Sequence, residues 1–250
     1  MAGERRLRIL SLLSSRGTGI TSRRVCEVCA EATETSGAGL MLMTGDVSRG
    51  SICTTDAISA RIEELQYDLG EGPCIDAYRR DVAVMEPDLA DPLVIRWPAF
   101  TEPALTAGAR AVFGFPLRVG AVRLGAMNLY NRQSGPLTDE QHANALVAAE
   151  VAAQTVLMLQ AGAPPGVLAD ELAARADFRY VVHQAAGMVA VQLGISVGDA
   201  LVRLRAHAFG NNTQLTDVAT DVVARTLRFH RDEIDRGGTE PEDPESRGDP

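Results

Sequence analysis

Two arginines, two asparagines and four cysteines are the residues of this 250-residue chain best placed to do chemistry. Arg203 and Arg205 lie two apart in the run Ala200-Leu201-Val202-Arg203-Leu204-Arg205. The planar guanidinium fork suits phosphate oxygens and the edges of bases. Arg205 falls at the border of an apolar helical stripe, where its stem packs and its head reaches outward, to a ligand or only to water. Arg203 points away from that stripe, toward a phosphate backbone or simply toward solvent. Asn211, Asn212 and Thr213 follow at a turn. One of them is expected to cap the next helix, which leaves the other amide to read an unstacked base edge. Cys26, Cys29, Cys53 and Cys74 make a single C-x-x-C with no histidine near it. That spacing indicates neither a zinc site nor a disulfide framework, and Cys26 and Cys29 read as small core residues. Thiol catalysis at Cys74 needs an activated thiolate and a resolving partner, which Cys53 supplies only if the fold brings the two together. His142 is the only histidine before residue 160, and no haem, metal or other cofactor is expected.

The elements that must position these residues are legible from periodicity. Three short amphipathic helices occupy the last third, from about Tyr180 to Phe229. Their apolar stripes are Phe178, Val182, Ala185, Ala186, Val189 and Leu193; then Val197, Ala200, Leu201, Leu204 and Ala208; then Leu215, Val218, Ala219, Val222, Val223 and Thr226. Gly194-Ile195-Ser196 and Gly210–Thr213 separate them. Upstream, a basic arm over residues 1–20 forms at most one or two helical turns. A helix over Thr21–Ser36 and strands over Gly37–Thr44 and Ser51–Thr55 follow. Ala57–Leu69 is helical and is broken by Gly70-Glu71-Gly72-Pro73-Cys74. A strand over Val82–Glu86 and a short helix over Pro98–Ala107 lead to a hairpin of Arg110–Arg118 with Val122–Tyr130. Thr138-Asp-Glu-Gln141 is a capping box opening a long helix to Gln160. Residues 161–166, with Pro164-Pro165, form a stiff linker, and 231–250 an acidic tail too polar to order. Arg8 interrupts the first apolar run and no span of about 20 apolar residues is evident, so no membrane segment is expected and the chain reads as cytoplasmic.

Net charge is −9, yet it is unevenly placed: +5 over residues 1–24, −9 over 25–164, zero over 165–230 and −5 in the tail. An overall acidic balance therefore does not exclude a nucleic-acid partner, although the last helices lack a strong basic footprint. All 24 basic residues are arginine, which we ascribe to codon bias in a GC-rich genome.

The wording of the last third is specific. His183-Gln184-Ala185-Ala186-Gly187-Met188, the Leu-Arg run ending at Arg205, and Gln214-Leu215-Thr216-Asp217-Val218-Ala219-Thr220-Asp221-Val222-Val223 resemble the ANTAR family of helical RNA-binding modules in bacterial antitermination regulators. The resemblance implies that Gln184, Arg203, Arg205, Asn211 and Asn212 contact RNA stem-loops in nascent transcripts. Ala186 stands where many members carry lysine, so the first helix lacks that phosphate contact, and Gly187 is expected to pack closely on a neighbouring helix or RNA. Residues 21–160 resemble a GAF domain, a small-molecule sensor. The likeness is carried by Asp68-Leu-Gly-Glu-Gly-Pro-Cys74, Ala83-Val-Met-Glu-Pro-Asp88, Phe115-Pro-Leu and Leu124-Gly-Ala-Met-Asn-Leu-Tyr130. The fold expected is thus an α+β sensor with an antiparallel sheet, followed over 167–230 by an all-α three-helix module.

The function implied is a signal-responsive, non-enzymatic RNA-binding regulator whose ligand is unknown. Its rivals are a DNA- or protein-binding signalling module and a thiol enzyme like the GAF-type methionine sulfoxide reductases. Apolar residues on several faces of the long helix, among them Leu146, Ala149, Ala153 and Val156, predict a homodimer through it, with Leu7–Leu13 alongside.

Overall fold

Alternation along the strands sets the architecture. In β1 (Gly37–Thr44), β4 (Ala111–Val119) and β5 (Val122–Asn131), Ala38, Leu40, Phe113, Phe115, Leu117, Met127 and Leu129 point to one side. Met41, Val112, Ala126 and Tyr130 point to the other. Both sets are buried, so both sheet faces are covered and the strands read as near-continuous apolar runs. With β2 (Val47–Thr54) and β3 (Val84–Glu86) they form a five-stranded antiparallel sheet in the order β2-β1-β5-β4-β3. The computed structural model describes residues 2–15, 20–44, 47–93, 96–162 and 167–230. Pro164-Pro165 and the acidic tail lie outside the described residues.

One face of the sheet carries α2 (Ser22–Thr33), α6 (Asp139–Gly162) and α1 (Ala2–Ser14). The arm is therefore mostly a three-turn helix, not one or two turns, because Ile9 and Leu13 bury against the layer behind it. Arg6 fastens it to α6 through Glu150 at 3.0 Å and Gln154 at 2.6 Å. Helix α6 does not present Ala149, Ala153 and Val156 to a partner. All three are buried within the chain, leaving the narrow strip of Leu146, Glu150 and Met158 exposed. Asp139–Leu159 is long and apolar enough by composition to cross a membrane, contrary to the expectation that no such stretch exists. Its apolar character follows from packing on the sheet, α2 and α1 at once.

The other face carries α3 (Ala57–Leu69), α4 (Pro73–Arg80) and α5 (Pro98–Ala107). Helix α4 was not foreseen, since Gly-Pro-Cys read only as a breaker; Pro73 instead occupies the first helical turn, where its missing N–H costs nothing. Cys26 of α2 and Cys53 of β2 form a disulfide, Cα to Cα 6.1 Å, which corrects the reading of Cys26 as a plain core residue and excludes Cys53 as a partner for Cys74.

The C-terminal helices are α7 (Val167–Leu193), α8 (Val197–Gly210) and α9 (Leu215–Val223). Helix α7 begins more than two turns before the expected start. Val182, Ala185, Ala186, Val189, Leu193, Ala200, Leu201, Leu204, Ala208, Leu215, Val218, Ala219 and Val222 are buried together as predicted. Val197 and Thr226 are exposed, and the side chain of Phe178 lies outside the described residues.

Candidate nucleic-acid interface

Helix α8 starts at Ser196, whose hydroxyl accepts from the Asp199 N–H at 3.1 Å. It ends at Asn211, whose Nδ2 donates to the His207 carbonyl at 2.8 Å. The expectation that Asn211, Asn212 or Thr213 caps the third helix is therefore corrected. The N-cap of α9 is Gln214, which makes no side-chain cap, and Asn211 and Thr213 instead serve the carbonyls at the end of α8. Asn212 lies in the left-handed region with φ 52° and is exposed. Arg203 and Gln184 are exposed on α8 and α7. Ala186 is fully buried, so a lysine there could not reach a phosphate without remodelling the bundle. Gly187 has nothing close to where a side chain would project, so it does not pack closely on a neighbouring helix. Asp221 accepts from the Thr226 hydroxyl at 3.2 Å, and Arg225 stands in the left-handed region just past the cap of α9.

Arg205 behaves differently from the reading of an outward guanidinium. Its head turns onto the sensor half, where Nη2 donates to the carbonyl of Tyr67 in the last turn of α3. The guanidinium carbon stands 6.0 Å from the Tyr67 ring centroid. Nε is buried with no hydrogen-bond partner among the described residues. Burial pulls the guanidinium below the usual arginine value, while Tyr67 and Asp68 hold it up. His183 of α7 meets the same tyrosine edge-on, with centroids 6.4 Å apart. Cavities of about 970 and 560 Å3 open on the two sides of this contact, and Leu69, Ala99, Arg205 and Phe209 border both. Asn212 also borders the larger one.

Beneath α3 the sensor sheet holds a buried polar layer that sequence reasoning missed. Asn128 of β5 is opposite Gly39 on one side and Gly114 on the other. It is fully buried, and its amide has no hydrogen-bond partner among the described residues. The Glu63 carboxylate lies over Gly39, where an added Cβ would meet Oε1 at 2.7 Å. Gln66 Oε1 accepts the Cys74 N–H at 2.7 Å. The signal for this layer was available in the sequence as an asparagine inside an apolar strand.

Neither free thiol is poised for chemistry. Burial pushes Cys29 up to about 12, and burial with the Glu63 charge pushes Cys74 well above the usual thiol range. His142 packs edge-on to Phe115 on the opposite face of the sheet, centroids 5.7 Å apart. Trp97 is buried, donates to Asp76 at 3.3 Å and meets Phe100 edge-on, centroids 5.8 Å apart.

The GAF domain family matches residues 17–159 and the ANTAR domain family residues 170–223. No curated protein matches the chain in a sequence comparison. Among solved structures it is similar to the GAF domain of an Acinetobacter phosphoenolpyruvate-protein phosphotransferase, at 12% identity over 64% of this chain and 96% of that one, TM-score 0.48. It is also similar to the second GAF domain of DevS from Mycobacterium smegmatis, at 17% identity over 56% and 92%, TM-score 0.41. A type II free methionine-R-sulfoxide reductase from Thermoplasma acidophilum matches at 14% over 63% and 95%, TM-score 0.40. A sensor module joined to an RNA-binding module makes a signal-responsive regulatory protein. The chain belongs to the GAF domain family and carries an ANTAR domain behind its sensor.

Proposed function

We propose that the chain regulates transcription by binding stem-loops in nascent RNA through α8 and the turn after it, so that a terminator hairpin is disfavoured and transcription continues. The observation that carries this reading is the placement of Arg203, Arg205, Asn211 and Asn212 along one helix and its C-terminal turn, in a bundle matched by the ANTAR family. Gln184 would add a polar contact from α7. The sensor half receives a small molecule, and the buried Asn128 amide supports a polar ligand beneath α3. The protein acts in the cytoplasm as a homodimer, which lets two stem-loops be held at once and raises the effective concentration of the second.

Stem-loop RNA with randomised loops, compared with duplex DNA of equal length, tests the reading. With two to four arginine–phosphate contacts, the slope of log affinity against log salt should be about −1.5 to −3. Arg203→Ala should weaken binding to all RNAs alike and flatten that slope by about 1. Equal binding to duplex DNA, or none to any stem-loop, would overturn it.

A further inference from the structure

The arginine assigned to RNA is the one that fastens the output module to the sensor. We propose that this contact is an autoinhibitory latch: α3 holds Arg205 away from RNA, and a shift of the last turn of α3 releases it. The inference rests on the RNA-binding reading above and adds the regulation of that site.

Three observations carry it. First, the receiving end is built for a cation. Tyr67 lies in the last turn of α3, at the negative end of the helix dipole, and Asp68 is next to it. Gly70 follows in the left-handed region with φ 68°, and an added Cβ there would stand 2.8 Å from Arg205 Nη1. A side chain at Gly70 would push the guanidinium out.

Second, the closed cleft is unsuited to RNA. Arg205 and Asn212 face it, but so do Glu64 and Asp68, and Arg61 is already paired with Glu64 at 2.7 Å. A phosphate entering there meets carboxylates. The outward residues Arg203, Asn211 and Gln184 remain available, so the closed form keeps only part of the binding face.

Third, the hold is weak and is connected to the sensor's interior. One hydrogen bond to Tyr67 is offset by the buried, unpartnered Nε–H, whose desolvation costs about as much as a typical bond gains. Cavities border the contact, and the His183–Tyr67 edge contact and the packing of α7 on β2 are the other points where the two halves meet. Helix α3 carries Glu63 over Gly39, which is opposite Asn128 in the sheet, Gln66 on the Cys74 N–H, and Tyr67 at its output end. Gln66 also accepts the Gly70 N–H through its carbonyl at 3.0 Å, so a group bound beneath α3 that displaces Gln66 displaces the latch seat as well. One rigid element thus senses both sites, which is the physical requirement for coupling.

The test uses the full chain, a stem-loop RNA selected from a randomised-loop pool, and amide hydrogen exchange. Gly70→Ala pushes on the guanidinium directly. Ala99→Trp, on a half-buried position bordering both cavities, wedges the contact open without replacing any residue of the RNA face or of the α3 cap. If about a tenth of the wild type is open, each variant should bind RNA about tenfold more tightly, exchange faster over residues 203–210, and lose the gain when Arg205→Ala is added. Faster exchange with wild-type affinity would overturn the latch while leaving RNA binding intact. Unchanged exchange in both variants would overturn it on structural grounds alone. No RNA binding by any of the proteins would overturn the RNA reading, and the latch with it.

Discussion

Asn211 and Asn212 are neighbours with opposite backbone demands, and substitution should separate them. Asn211 has an ordinary φ and uses its amide to close the end of α8, so Asn211→Ala should lower stability by about 0.5–1.5 kcal/mol in urea unfolding. Asn212 stands at φ 52°, where a residue with a Cβ is disfavoured by about 1–2 kcal/mol. Asn212→Gly should therefore keep or raise Tm while removing the amide, so reduced RNA affinity at unchanged stability would isolate its contact; unchanged affinity would remove Asn212 from the site. At this scale the sequence is informative about residue type but not about direction. Asparagines beside a helix boundary announced capping, yet which helix they cap depends on where the chain turns. Arg205 lay at the edge of a stripe as read, but whether a border side chain faces water or a second domain is decided by residues more than 130 positions away. The pairing of Cys26 with Cys53 is tertiary in the same sense, because only β-strand register and helix placement bring the two within reach.

Among the elements, those defined by local rules were legible nearly to the residue. The bounds of β1, α3 and α5 follow from alternation, an Asp56 cap and a following glycine. Helix α4 was hidden because proline both ends and begins helices, and α6 misled because a helix buried on several sides looks, in sequence, like one that seeks partners. The start of α3 carries a pH prediction. Burial acts to raise the Asp56 carboxyl, but hydrogen bonds from the Tyr130 hydroxyl and from Ser59 more than reverse it, so it ends below its ordinary 3.8. A depressed carboxyl contributes stability fully above the unfolded value and loses it as pH falls through the folded one. Acid unfolding should therefore steepen below about pH 4, and Asp56→Ala should cost about 1 kcal/mol at pH 7 while flattening that acid limb. The α2–β2 disulfide closes a loop with a sequence separation of 27. A Cys26→Ala/Cys53→Ala chain should lose on the order of 3–4 kcal/mol in denaturant unfolding. The same stability in wild type and variant under oxidising conditions would show that the bond does not form.

For the whole molecule, the sequence announced two modules and their order but not how they touch. Surface for self-association is narrower than periodicity suggested: Leu7 and Leu10 of α1 with Leu146 and Met158 of α6 are the exposed large apolar residues on those two helices. If this edge pairs two copies, Leu146→Glu with Met158→Glu should convert a dimer to a monomer in light scattering; a wild-type monomer at high micromolar concentration would remove the dimer from the proposal. The placement of α6 also has a consequence for how the protein is made. Helices α1 and α2 pack on each other, but their layer is completed only by α6, and β1 pairs with β5, whose partner residues lie some ninety positions downstream. At roughly 5–20 residues per second of synthesis, β1 waits several seconds with its β5 edge unpaired. Translation that stops before α6 leaves β4 and β5 without the helix that covers them, a fragment bound for aggregation or proteolysis. The seat on α3 precedes Arg205 in the chain by some 135 residues, so α8 leaves the ribosome after the sensor has had time to close, and folds against a surface already in place.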